Sequence, residues 1–271
     1  MSIKNLERLL TVFARVVGEP LGLSNVTVRI VRATPSELGG SVLIRPYFVP
    51  QDSTIVFTDF ELRESIELVE SYCEGSCTFV ECLDGLAFAF SETVRKVFWL
   101  FFLDRYKGRE RYVKESEIAS LLRSIVFADI ASGTRVEDVE RLLSWTVDRF
   151  YALCHTHLDE IVILVRATPE DLRSILDKPG IIELLEPALC SGDESAIRKI
   201  GETAGEFVRR LVIRCRKEID RILNSLLDVN MAFIVQLCRV ILPRLLASPT
   251  SRSFGKILEK VKGLCSEVLR R

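Results

Sequence analysis

Apolar residues recur along most of this chain at the spacing that places them on one side of a helix, and they alternate in only a few short stretches. Ile3, Leu6, Leu9, Leu10, Phe13, Val16 and Val17 fit a helix over residues 3–17, which Gly18, Pro20 and Gly22 close. Residues 25–33, NVTVRIVRA, alternate and are β-branched like a strand. VLIRPYFV and TIVFTD add two more strands across the turn-forming Pro50-Gln51-Asp52-Ser53. Helices are expected at 60–73, 84–105, 116–127 and 135–155. EIVILVRA, 160–167, reads as a late strand, and helices follow near 169–177, 180–190, 193–226, 228–247 and 252–270. In the longest of these, Ala196, Ile200, Ala204, Phe207, Leu211, Cys215, Ile219, Ile222 and Leu226 form a core stripe, and Gly201 and Gly205 admit a close neighbour. The fold class is therefore α+β, predominantly α-helical. It has a small N-terminal sheet joined by a strand from the second half, with a C-terminal helical array.

Two segments echo each other. IVRATPSELGG begins at Ile30 and LVRATPEDLRS at Leu164, an offset of 134. Thr34-Pro35-Ser36-Glu37 and Thr168-Pro169-Glu170-Asp171 each supply an N-cap threonine, a proline at the first helical position and a carboxylate at the third, which is ordinary helix-start chemistry. Capping does not explain the Val-Arg-Ala before both. Upstream, Asn5-Leu6-Glu7-Arg8-Leu9-Leu10-Thr11 matches Asp138-Val139-Glu140-Arg141-Leu142-Leu143-Ser144, and Arg15 matches Arg149, which points to an internal duplication of helix, strand and cap. The expected domains are 1–134, holding a helix, a three-stranded sheet and helices, and 135–271, holding a helix, a strand and the helical array. Alternatively, the two halves fold as one intertwined domain with the equivalent strands in one sheet. Arg32 and Thr34, with Arg166 and Thr168, would then flank two helix N-termini as anion-binding corners. The plainer reading pairs each arginine with its own capping acid, Glu37 or Asp171.

Composition narrows the classes. The chain of 271 residues is long enough to bury a large core without metal or disulfide. Thirty-seven Lys and Arg against 38 Asp and Glu leave no net push toward nucleic acid or membrane. No signal-like apolar segment opens the chain, and the longest apolar run, Val97 to Leu103, falls far short of the ~20 residues that span a bilayer, so a cytoplasmic protein without membrane partners is expected. Only two Gln, four Asn and two Met accompany 28% charged residues, a heat-adapted balance. In such a cytosol disulfides persist, which bears on the eight cysteines. Charge is also segregated. Residues 59–92 hold nine acids and one base, and residues 236–271 hold eight bases and two acids. These are either solvated helix faces or surfaces that attract one another within the fold or across a homodimer.

Three clusters carry candidate chemistry. Cys73, Cys77 and Cys82, with Cys154, His155 and His157, offer thiolate and imidazole ligands for zinc, although the thiol spacing is not that of a zinc ribbon. A disulfide within the first cluster, or buried thiols, is the simpler reading. Arg149 and His155, in RFYALCH, resemble the Arg-His arrangement of HEPN ribonucleases; the resemblance covers seven residues, and Phe150 stands where that family has a polar residue. It implies phosphodiester cleavage with His155 as the proton-transfer group. Arg105, Lys107, Arg109, Arg111 and Lys114, interleaved with Tyr106 and Tyr112, form the mixture that tracks a phosphate backbone while stacking bases, or else a solvated loop paired with Asp104 and Glu110. No stretch reads as a cofactor motif, and none is expected. The leading expectation is a non-enzymatic interaction or scaffold protein whose partner is another protein or its own copy. A nucleic-acid-binding protein and a HEPN-like ribonuclease are the alternatives.

Overall fold

The computed structural model describes residues 2–23, 25–32, 47–49, 53–106, 155–247 and 250–270. By its contacts the chain divides into two units. One takes residues 1–34, 46–104 and 158–222, and the other takes 35–45, 105–157 and 223–271. The first unit thus draws on both sides of residue 134. The fold is mainly helical with one small sheet, as the apolar periodicity implies. The helices expected at 116–127 and over 135–154 lie outside the described residues.

The first unit opens with α1, Ser2–Gly18, followed by a short 3-10 turn, Glu19–Leu21. Strands β1 (Thr27–Val31), β2 (Tyr47–Val49) and β3 (Thr54–Thr58) form a sheet of order β1-β3-β2, with β1 parallel and β2 antiparallel to the central β3. Every residue of β3 is buried, which is why TIVFT reads as a continuous apolar run rather than an alternation. Then come α2, Arg63–Cys73, and the long α3, Phe79–Tyr106, which begins earlier than its apolar pattern suggests because Thr78 caps it: Glu81 accepts the Thr78 N–H and hydroxyl, and the Glu81 N–H donates back to Thr78 Oγ1.

Residues 160–167 do not add a strand to the sheet: 155–164 are helical. Leu158, Ile161, Val162 and Val165, all buried, fall at i, i+3, i+4 and i+7, whereas Ile163 remains 65% exposed. The β-branched composition suggests a strand, but the burial spacing is that of a helix. Val31 thus ends a strand whereas Val165 follows a helix, and the expected pair of equivalent strands in one sheet does not form. The first unit continues with α4 (Pro169–Leu176), α5 (Pro179–Glu186), a π-helical turn over Pro187–Ser191, and α6 (Glu194–Arg214). The helix expected over 193–226 is interrupted at Cys215, and α7, Arg216–Gln236, begins after it.

The core of this unit is built on α1. Its Leu6, Leu9, Leu10, Phe13, Ala14 and Val17 are fully buried, and Phe13 meets Phe90 of α3 edge-on at 4.4 Å between ring centres. Helix α6 lies against the other side of α1 at Gly201 and Gly205, so close that a Cβ on either would come within 2.7 Å of Val12 or Val16. The glycines act as the sequence implies. The buried stripe nonetheless runs through Ile197, Val208 and Val212 rather than Phe207 and Leu211.

Helix α1 also seals the outer edge of β1. One helical turn apart, Glu7, Thr11 and Arg15 project toward the strand. Ile30 N–H donates to Glu7 Oε2 at 2.8 Å, Val28 N–H to Thr11 Oγ1 at 3.0 Å, and Arg15 Nε–H to the Val26 carbonyl at 2.9 Å. Three side chains thus occupy backbone groups that an edge strand would otherwise present to another chain. Thr11→Val, which keeps the shape and removes the acceptor, is expected to cost about 1–3 kcal/mol by leaving the Val28 amide unpaired. Thr11→Ser, which keeps the hydroxyl, should cost less, and urea midpoints of the two variants provide the comparison.

In the second unit, α7 leads through a π-helical turn, Leu237–Ile241, into α8, Leu242–Ala247, and then α9, Thr250–Leu269. Leu258, Val261, Cys265 and Val268 bury one face of α9, and a disulfide joins Cys265 to Cys238. Among the described residues no helix is long and apolar enough to cross a membrane.

Candidate functional site

The second Arg-Ala-Thr-Pro corner is a helix-to-helix junction. The Arg166 N–H donates to the Ile163 carbonyl and the Ala167 N–H to that of Val162, with Arg166 at φ +49°, which is the left-handed closure that ends a helix. Thr168 then caps α4. Its Oγ1 accepts the Asp171 N–H, and its hydroxyl donates to Asp171 Oδ2 at 2.7 Å. The Thr-Pro-acid part therefore does what its chemistry dictates, and Asp171 holds its own carboxylate where an anion would approach the helix. Arg32, by contrast, is an exposed residue just past the end of β1, and Thr34 lies outside the described residues. One arginine follows a strand and the other ends a helix, so the two positions are not structurally equivalent.

The cysteine cluster resolves differently from a metal site. Cys73, the last residue of α2, is bonded to Cys190 in the π-helical turn after α5, 117 positions away. That removes Cys73 as a thiolate ligand, and the bridge leaves the cluster rather than forming inside it. Cys77 and Cys82 remain thiols. Burial, followed by the neighbouring Cys77, pushes the Cys82 thiol up to about 12, which keeps it protonated and inert. His155 is exposed, and Cys154 lies outside the described residues. Among the described residues no group of three or more His, Cys, Asp or Glu side chains is arranged to hold a metal ion.

Lys96 of α3 occupies a site that local sequence reading does not find. It is 5% exposed, and its ammonium donates to the Val56 carbonyl at 2.8 Å and to Glu61 Oε1 at 2.9 Å, above the Phe57 ring at 4.2 Å. The other oxygen of Glu61 accepts the Thr58 N–H at 2.7 Å and the Thr58 hydroxyl at 3.2 Å. Burial lowers the Lys96 pKa, and the facing Glu61 carboxylate opposes that shift. A carbonyl, a carboxylate and a ring face surround the ammonium, and the cluster pins α3 to the end of β3. It is a structural staple.

An open cleft of about 630 Å³ lies between α1, α4 and α6, with Val16, Ile175 and Phe207 among its apolar lining. Lys178, Glu202 and Arg210 stand on its rim, and Glu19 and Glu206 of the same rim are both bridged to Arg209. Arg32, Arg166 and His155 are not among its lining residues.

The segregated charge is exposed within each unit. In the first, Glu64 and Glu67 of α2, Glu74 just past its end and Glu81 at the start of α3 all face solvent. In the second, Arg239, Arg244, Lys256, Lys260, Lys262 and Arg270 do. Arg105 is exposed in the last turn of α3 and Tyr106 ends that helix; Lys107, Arg109, Arg111, Tyr112, Lys114 and Arg149 lie outside the described residues. No family model matches this chain, and neither a curated protein nor a solved structure matches it.

Proposed function

We propose that this chain is a non-enzymatic interaction protein, and that the partner its charges fit best is a second copy of itself. The observation that carries this reading is the exposure of an acidic surface on α2 and α3 together with a basic surface on α8 and α9, in a chain whose net charge is −1. A nearly neutral molecule with separated charge contains both halves of an electrostatic complement, and two copies can exchange such contacts reciprocally. A heat-adapted cytoplasm, where disulfides persist, suits both the composition and the two bridges.

The variant Glu64→Lys/Glu67→Lys tests this. Each exposed ion pair contributes about 0.2–1 kcal/mol, so reversing both charges should weaken self-association in low salt by about tenfold in sedimentation velocity. Unchanged association would remove the acidic surface from the interface. The exposed bases of α9 favour a second reading, single-stranded nucleic acid. It predicts a shift of labelled RNA in fluorescence anisotropy that falls steeply with salt.

A further inference from the structure

The two disulfides differ in the property that governs thiol–disulfide exchange, which is access. Cys238 and Cys265 are 4% and 2% exposed, whereas Cys73 and Cys190 are both partly open to solvent. We propose that Cys73–Cys190 is a thiol–disulfide exchange site, opened by an external dithiol reductant as a local latch, while Cys238–Cys265 is a permanent brace.

The surroundings of the bond make it a latch on one segment. Cys190 lies in the turn joining α5 to α6, and Cys73 ends α2. Without the bridge, that turn keeps the Asn5 Nδ2 hydrogen bond to the Leu189 carbonyl at 2.8 Å and the burial of Ala188 and Leu189. Gly192, at φ +74°, sits against Asn5 so closely that a Cβ would come within 2.8 Å of it, and Asp193 caps α6 through the Ser195 and Ala196 amides. The start of α6 and the Ala188–Leu189 part of the turn are therefore held independently of the disulfide, and the freedom gained on opening falls on α5 and on Cys190 itself. Helix α5 begins beside Lys178, on the cleft rim. Opening the latch thus loosens the helix that follows Lys178.

The step balances with the reductant as the only added reagent. A thiolate of the dithiol attacks one cysteine sulfur, and the S–S bond breaks to release the other cysteine as a thiolate, which takes a proton. The second thiol of the reductant then displaces the remaining cysteine. The protein gains two thiols, and the reductant leaves as a disulfide two electrons poorer. Cys77, four residues beyond Cys73, competes poorly as an internal attacker. Its Sγ–H is directed at the Leu68 carbonyl at 3.3 Å, and burial together with Glu81 raises its pKa, which keeps it in the thiol form.

The test is a dithiothreitol titration of the folded full-length chain, quenched with N-ethylmaleimide and read by peptide mass spectrometry, with hydrogen exchange measured on parallel samples. Cys73 and Cys190 are expected to take up label at about tenfold lower reductant than Cys238 and Cys265. Exchange should rise in peptides covering 181–191, with Cys82 still protected. A Cys73→Ser/Cys190→Ser variant should show the same local exchange without reductant. Simultaneous opening of both bridges, labelling of Cys82 together with Cys73, or unchanged exchange over 181–191 would each overturn the proposal.

Discussion

Glu61→Ala is expected to destabilise the protein by about 3–5 kcal/mol, the cost of leaving a buried charge without its partner. Lys96 would remain beneath the sheet with the Val56 carbonyl, the Phe57 ring and the weaker pull of the Glu92 carboxylate. Lys96→Met should cost less, about 1–2 kcal/mol, because Glu61 is 27% exposed and keeps its bonds to Thr58, leaving chiefly the Val56 carbonyl without a donor. The pair also has a pH signature. Because the folded-state pKa of Lys96 lies below 10.5, the unfolded chain holds this proton to higher pH than the folded chain does. Stability from this group therefore rises with pH across the window between the lowered value and 10.5, and is lost as pH falls through the lowered value. Measured against Lys96→Met at each pH, the wild type should gain stability across that window. A flat difference would mean that burial does not depress the lysine.

Gly201→Ala and Gly205→Ala should each destabilise the protein by about 1–3 kcal/mol, as overpacking does. The sign is the informative part, because glycine to alanine at an unconstrained helix position stabilises by about 1 kcal/mol. At Gly201 the new methyl would lie 2.7 Å from Val12 Cγ1 and 3.2 Å from the Phe13 nitrogen. At Gly205 it would lie 2.7 Å from Val16 Cβ and 3.3 Å from the Phe13 carbonyl oxygen. Backbone on the far side limits how far α1 can retreat. Val12→Ala should recover part of the Gly201→Ala loss, giving a favourable coupling in a double-mutant cycle read by chemical denaturation. An increase in melting temperature from either alanine would show that α1 and α6 do not pack this closely.

The features legible in the sequence are those with local causes. The heptad-like spacing of α1, the alternation of β1, the Thr168 cap and the small residues of α6 each follow from neighbours within a turn or two. Residues 160–167 carry the β-branched composition of a strand, but the helical spacing of Leu158, Ile161, Val162 and Val165 governs what they form. The Cys73–Cys190 bridge and the Lys96 staple were illegible for a different reason: their partners lie 117 and 35 positions away and meet only once the helices pack. The repeated motif falls between these cases. Glu7, Thr11 and Arg15 were visible as matched residues, but their task, sealing the edge of β1, required the strand to be in place.

Association between copies through complementary charge is decided by the mass of the wild-type chain in sedimentation velocity as salt is varied. Charges act over roughly 30 Å at 0.01 M salt and roughly 3 Å at 1 M. The prediction is a dimer or larger species at the low end that dissociates to monomer at the high end. A monomer throughout, or an oligomer indifferent to salt, would contradict it.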